Sequence, residues 1–153
     1  MMLACFTYVR SMMMATITIR DESTGLGHED RMFTLEIPSE SMTVRELIRE
    51  RVYQEVDDYN RAAREQTESP RFFGLVQPEK HEAELNEPLR AKESRKTREL
   101  DWKKQFEVAI DAYEHNQFIV LVGDEQTTSL DQKIELTPST EVVFLRLVML
   151  VGG

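Results

Sequence analysis

The chain has too little cysteine and histidine for a disulfide framework or a structural zinc site. Its 153 residues include one cysteine, Cys5, and three histidines, His28, His81 and His115, which lie far apart in the sequence. Cys5 cannot form a disulfide within the chain, and no group of residues has the spacing of zinc ligands. We therefore expect no metal and, because disulfides are rare in reducing compartments, a cytoplasmic protein.

Long apolar runs and an excess of positive charge are also missing. The longest apolar run, Val142 to Val151, has ten residues and contains Arg146, whereas a membrane-spanning helix needs about 20. The 19 Lys and Arg residues are outnumbered by 28 Asp and Glu residues, which gives a net charge of −9. Since an acidic protein repels phosphate, we expect neither a membrane nor a nucleic acid as a partner.

Four segments have the apolar patterns of strands, in a chain that is 41% hydrophobic and 31% charged. They are residues 15–20, 33–37, 118–122 and 141–147. The first two alternate apolar and polar residues and predict a hairpin with a long loop. The last is apolar at nearly every position, which is typical of a strand in the middle of a sheet. The first and last strands are therefore expected to be central neighbours.

Two segments have the three- and four-residue spacing of amphipathic helices. The first runs from Thr43 to about Glu65, and Thr43 and Glu46 have the spacing of a capping box. The second begins near Leu100 and ends at Asn116, a residue that tolerates the left-handed conformation of a helix cap.

Two stretches fall outside these patterns. Residues 1–13 precede Met14, which stands directly before the first strand, so we interpret them as a non-native or disordered extension. Residues 67–98 are charged, contain three prolines and lack periodicity, which indicates a functional or partly disordered insertion. The sequence thus predicts a single domain over residues 14–153, with an insertion at about 67–117 that includes the second helix.

This order of elements predicts an α+β fold with a mixed sheet packed on the first helix, the β-grasp arrangement. Residues 139–147 resemble the last strand of ubiquitin-like proteins and lead to Gly152 and Gly153. Residues 120–125 are similar to a segment of the sulfur carriers of thiamine and molybdopterin synthesis. By pattern the resemblance covers residues 15–60 and 118–153.

The resemblance implies a protein modifier of the prokaryotic ubiquitin-like type. Its Gly153 carboxylate would be adenylated, passed to a partner cysteine as a thioester, and joined to a target nucleophile. Glycines suit this role because a Cβ would obstruct the narrow passage to the ATP site. The implied partners are an activating enzyme, a conjugating enzyme, a deconjugating peptidase and target proteins. The chain itself would supply no catalytic residue and no cofactor, since the activating enzyme uses the ATP.

The last strand and the residues after it are the expected partner-binding surface. Arg146 indicates the solvent-facing side of the strand. On that basis Val142, Phe144, Arg146 and Val148 face outward, and Val143, Leu145 and Leu147 face the helix. The alternative is that the insertion covers Val142 and Phe144 as additional core. The apolar residues that follow are expected to contact a dedicated activating enzyme; they are Val148, Met149, Leu150 and Val151.

The lysines are concentrated in the insertion. Five of the six lie between residues 61 and 104, a stretch with eleven basic and nine acidic residues. If the chain conjugates to itself, the expected acceptors are Lys80, Lys92 and Lys96. The alternative interpretation is that this stretch is a solvated charged segment without a specific role.

Two other functions remain open. A sulfur carrier would use the same Gly153 carboxylate to form a thiocarboxylate, although such carriers are typically small and do not need a long charged insertion. A ubiquitin-fold interaction module would use neither glycine chemically.

Overall fold

The computed structural model describes residues 14–25, 30–65, 74–75 and 99–148. The proposed extension at 1–13 and most of the insertion lie outside the described residues. The strands in these ranges are β1 Ala15–Ser23, β2 Arg31–Ile37, β3 Ser41–Thr43, β4 Phe118–Val122, β5 Glu125–Gln126, β6 Lys133–Glu135 and β7 Glu141–Arg146. The helices are α1 Val44–Glu65 and α2 Trp102–Glu114. Neither helix in these ranges is long and apolar enough to cross a bilayer.

The main sheet is mixed and has the strand order β2-β1-β7-β4-β5. β1 pairs with β7 in parallel, and the other neighbours pair antiparallel. β3 and β6 form a separate two-stranded sheet. The predicted α+β class, the hairpin of β1 and β2, and the central pairing of the first and last strands are therefore confirmed.

α1 begins with the predicted capping box. The Thr43 N–H donates to Glu46 Oε2 at 2.8 Å, and the Glu46 N–H donates to Thr43 Oγ1 at 3.2 Å. These reciprocal bonds satisfy two backbone donors that the first turn of a helix leaves free. The apolar side of α1 packs on the sheet through Val44, Leu47, Ile48, Val52 and Val56.

α2 is followed, two residues after its end at Glu114, by the predicted left-handed residue Asn116, whose φ is 54°. The Gln117 N–H donates to Ala112 O at 2.9 Å, and the Asn116 N–H donates to Tyr113 O at 3.1 Å. This pair of bonds is the Schellman motif, and it turns the chain directly into β4. α2 packs against α1, where the Trp102 and Tyr53 rings meet edge to face at 5.4 Å.

The expected orientation of β7 is wrong. Val142 and Phe144 are 0% and 2% exposed and lie in the core between the sheet and the helices. Val143 and Leu145 pair with Leu121 and Ile119 of β4 on the opposite face. Because β7 is central, both of its faces are apolar, and their composition alone does not distinguish the inside from the outside.

Truncation of neighbouring residues tests this orientation. We expect Phe144→Ala to lower the free energy of unfolding by about 3–5 kcal/mol, since it leaves a cavity in the core. Leu145→Ala is expected to cost less than about 2 kcal/mol because Leu145 is partly exposed. Urea unfolding of both variants measures the difference, and a larger loss for Leu145→Ala would contradict the orientation.

Candidate functional site

The end of β7 and the two residues after it, Arg146–Val148, are called the tail root. Main-chain and side-chain groups hold it from both sides. The Leu147 N–H donates to Gln117 O at 2.9 Å, and the Val148 N–H donates to Thr24 Oγ1 at 2.9 Å. Leu147 and Val148 are 36% and 40% exposed. The tail root is thus fixed in place while presenting apolar side chains to solvent.

Beneath the tail root, the core becomes ionic. The inward residues of β1 change from Ile17 and Ile19 to Asp21, and the inward residues of β7 change from Phe144 to Arg146. Both changes occur at the same end of the sheet because the two strands run parallel. We call Asp21, Arg31, Arg51, Glu55 and Arg146 the ionic layer.

Arg51 is the centre of the ionic layer and is fully buried. Its two terminal nitrogens donate to the two oxygens of Asp21 at 2.6 and 2.8 Å. Its guanidinium also lies 4.3 Å from the centre of the Phe144 ring and 5.3 Å from that of Phe33. Arg51 Nε has no hydrogen-bond partner among the described residues. This paired and stacked environment offsets the cost of burying the charge.

Glu55 completes the pairing one helical turn after Arg51. It accepts a hydrogen bond from Arg31 at 2.8 Å and lies 3.5 Å from Arg51. Burial raises the pKa of Glu55 above its usual value, and the charges of Arg51 and Arg31 oppose that shift. Arg31 also lies 3.7 Å from Asp21, so the two carboxylates share two guanidinium groups.

Arg146 joins the ionic layer to the insertion. Its Nε donates to Leu75 O at 3.2 Å, and its Nη2 donates to Gly74 O at 2.9 Å. Leu75 is buried in the core, so two residues of the insertion are fixed beneath the tail root. Burial lowers the pKa of Arg146 from its usual range, although a guanidinium stays charged at neutral pH. Arg146 therefore faces inward, and its predicted outward orientation is wrong.

The exposed side of the sheet carries a different apolar group from the one expected. Ile119 and Leu121 of β4 lie beside Leu145 and Val143 of β7, and we call these four residues the outer patch. All but Val143 are partly exposed. At one border of the patch, Arg20 pairs with Glu141 at 3.4 Å. The patch lies on β7 and its neighbour β4, next to the tail root.

The remaining predicted site residues lie outside the described residues. These are Met149, Leu150, Val151, Gly152 and Gly153, and the possible acceptors Lys80, Lys92 and Lys96. Within the described ranges, no group of three His, Cys, Asp or Glu side chains has the geometry to hold a metal ion.

Sequence reasoning missed the ionic layer. The available signal was that Arg51 stands four residues after Leu47 and three after Ile48, on the apolar side of α1, with Glu55 one turn later. An arginine at a core position needs a buried carboxylate, but the sequence does not identify Asp21 as that partner.

A broad open depression of about 550 Å³ lies at the end of α2, next to residues 126–131. Its most buried polar groups bond within the protein. Tyr113 Oη and Thr127 Oγ1 are 2.9 Å apart, and Thr127 Oγ1 donates to Val120 O at 3.0 Å. These two hydroxyl groups are therefore satisfied without a ligand.

Comparison with protein families, curated proteins and solved structures finds no match for this chain. Fold and site geometry are therefore the basis of the functional proposal.

Replacing Glu55 tests the electrostatics of the ionic layer. A carboxyl whose pKa is higher in the folded state binds protons more tightly there, so its contribution to stability decreases as the pH rises above its ordinary value of 4.5. We expect the wild-type protein to lose stability relative to Glu55→Gln between about pH 4 and pH 7. Urea unfolding of both proteins across this range measures the difference. A relative gain by the wild type with rising pH would contradict the assigned pKa direction.

Proposed function

We propose that this chain is a ubiquitin-like protein modifier with a β-grasp fold, activated at the carboxylate of Gly153. The observation that carries the proposal is the central position of β7, whose end presents an exposed tail root. The partners would be a dedicated activating enzyme, a conjugating enzyme, a deconjugating peptidase and target proteins.

The topology supports the β-grasp part of the proposal. The first and last strands are parallel neighbours at the centre of the sheet, each with an antiparallel strand on its other side. α1 follows the first hairpin and packs against one face of this sheet. A β-grasp requires this combination of a central parallel pair and a helix across it.

The position of the tail root suits a reaction at Gly153. Five residues follow Val148, and when fully extended they span at most about 18 Å. In the proposed reaction, the Gly153 carboxylate attacks the α-phosphate of ATP and pyrophosphate leaves. A cysteine thiolate of the activating enzyme then displaces AMP to form a thioester, and a target nucleophile later displaces that thiolate.

The outer patch is the proposed recognition surface for the activating enzyme. It takes the place of Val142 and Phe144, whose burial makes them inaccessible to a partner. Partly exposed apolar side chains next to the tail root give an enzyme a docking surface close to the point from which the chain continues toward Gly153.

Removal of Gly152 and Gly153 tests the chemical part of the proposal. The full-length and truncated chains are incubated with ATP, Mg²⁺ and a lysate of the source cells, and adducts are detected by mass spectrometry. We expect ATP-dependent conjugates of the full-length chain only, with equal folding of both chains by circular dichroism. The intact mass of the starting protein checks that Gly153 bears a free carboxylate.

Two results would contradict the modifier proposal. Conjugates that form equally well from the truncated chain would show that Gly153 is not the reacting group. Exchange of one carboxylate oxygen for sulfur, without conjugates, would instead establish the sulfur carrier.

A charge placed in the outer patch tests the recognition surface. We expect Leu121→Arg to reduce kcat/KM for adenylation at least about tenfold, because burying an unpaired charge against the enzyme costs more than 1 kcal/mol. Thr34→Arg is the matched control. Thr34 is exposed on β2, about 14 Å from β4 across three strand spacings. Equal effects of both substitutions would contradict a recognition role for the patch.

A further inference from the structure

The ladder between β1 and β7 ends in an unusual way at Thr24. The Thr24 N–H donates to Arg146 O at 3.0 Å, as in a regular parallel ladder. The next bond of such a ladder would run from the Val148 N–H to the main-chain oxygen of Thr24. The Val148 N–H donates instead to the side-chain hydroxyl, Thr24 Oγ1, at 2.9 Å.

The reason is that the chain bends immediately after β1. Residues 24 and 25 form a bend, and the Gly25 N–H donates to Ser23 Oγ at 3.2 Å. The side-chain hydroxyl of Thr24 replaces its main-chain oxygen as the hydrogen-bond acceptor, at the point where the segments that follow β1 and β7 separate. The same hydroxyl lies 3.5 Å from Arg146 O, so one side chain accepts from Val148 and faces the carbonyl of Arg146 as a donor.

We propose that Thr24 is a positioning residue that fixes the direction in which the chain leaves the sheet toward Gly153. The activation step of this inference rests on the proposed function. Leu147 is held on its other side by a main-chain bond to Gln117 O, which no side-chain substitution removes. The bond at Val148 depends on one exposed hydroxyl. Thr24 therefore determines whether the main chain is bonded to the β1 side as far as Val148 or only as far as Arg146.

The position of Val148 matters because the segment from Val148 to the Gly153 carboxylate is short. Each residue released from the sheet adds about 3.3–3.6 Å to the reach of the carboxylate and more conformations for an enzyme to restrict. With Val148 held in place, the Gly153 carboxylate lies five residues along the sequence from a fixed point. Losing the hydroxyl would weaken productive binding of the chain end without affecting the chemistry at Gly153.

Amide hydrogen exchange measured by NMR tests the hold of Thr24 on Val148 without any partner enzyme. Thr24→Val keeps the shape of the side chain and removes the hydroxyl, and Thr24→Ser keeps the hydroxyl. In Thr24→Val we expect the Val148 amide to exchange about fivefold faster, in line with the loss of one hydrogen bond. The amide of Leu147 serves as the internal reference and should change less. Unchanged exchange at Val148 would overturn the inference.

Steady-state adenylation tests the positioning role. We expect Thr24→Val to raise KM several-fold with little change in kcat, and Thr24→Ser, which keeps the hydroxyl, to have the wild-type KM. Faster exchange at Val148 with an unchanged KM would refute positioning while leaving the modifier function intact. If the wild-type chain is never adenylated, the proposed function fails, and the exchange measurement still decides whether Thr24 holds the chain.

Discussion

The parallel pairing of β1 with β7 is the constraint on which the rest of the structure depends. It joins two strands from opposite ends of the described chain, in a register that places Ser23 opposite Arg146. Both strands end at the same end of the sheet, so Thr24, which directly follows β1, lies beside the end of β7. Thr24 can reach Val148, and Asp21 can share a layer with Arg146, because of this pairing.

The ionic layer lies where the two central strands, β1 and β7, end against the helices. Three guanidinium groups and two carboxylates lie there, and Arg51 is removed from water completely. Asp21 and Glu55 supply the negative charge for Arg31 and Arg51, and main-chain oxygens of Gly74 and Leu75 accept from Arg146. Removing the Asp21 carboxylate would leave the fully buried Arg51 without its bidentate partner, and breaking a buried pair in this way typically destabilises a protein by about 3–5 kcal/mol.

This arrangement relates the proposed function to the fold. The tail root shares Arg146 with the ionic layer, is bonded to Gln117 and Thr24, and lies next to the outer patch. Chemistry at a chain end requires little from the chain beyond a fixed point of departure and a surface for an enzyme to recognise. Under the proposed function, the tail root would supply the first and the outer patch the second, and both include residues of the central strand β7.

The sequence by itself determined where the two helices and the four longest strands, β1, β2, β4 and β7, lie, but not the short strands β3, β5 and β6. Periodicity and caps such as Thr43 with Glu46 act within a few residues, so they can be read locally. The tertiary structure decided which side of β7 faces the core. The residues from Val142 to Leu145 are apolar on both sides of the strand. The charged residue used to orient the strand, Arg146, donates hydrogen bonds to carbonyl oxygens 71 and 72 residues away in the sequence. A charged residue marks the solvent-facing side of a strand only when the fold places no buried hydrogen-bond partner beside it. Whether such a partner is present depends on contacts between distant parts of the chain.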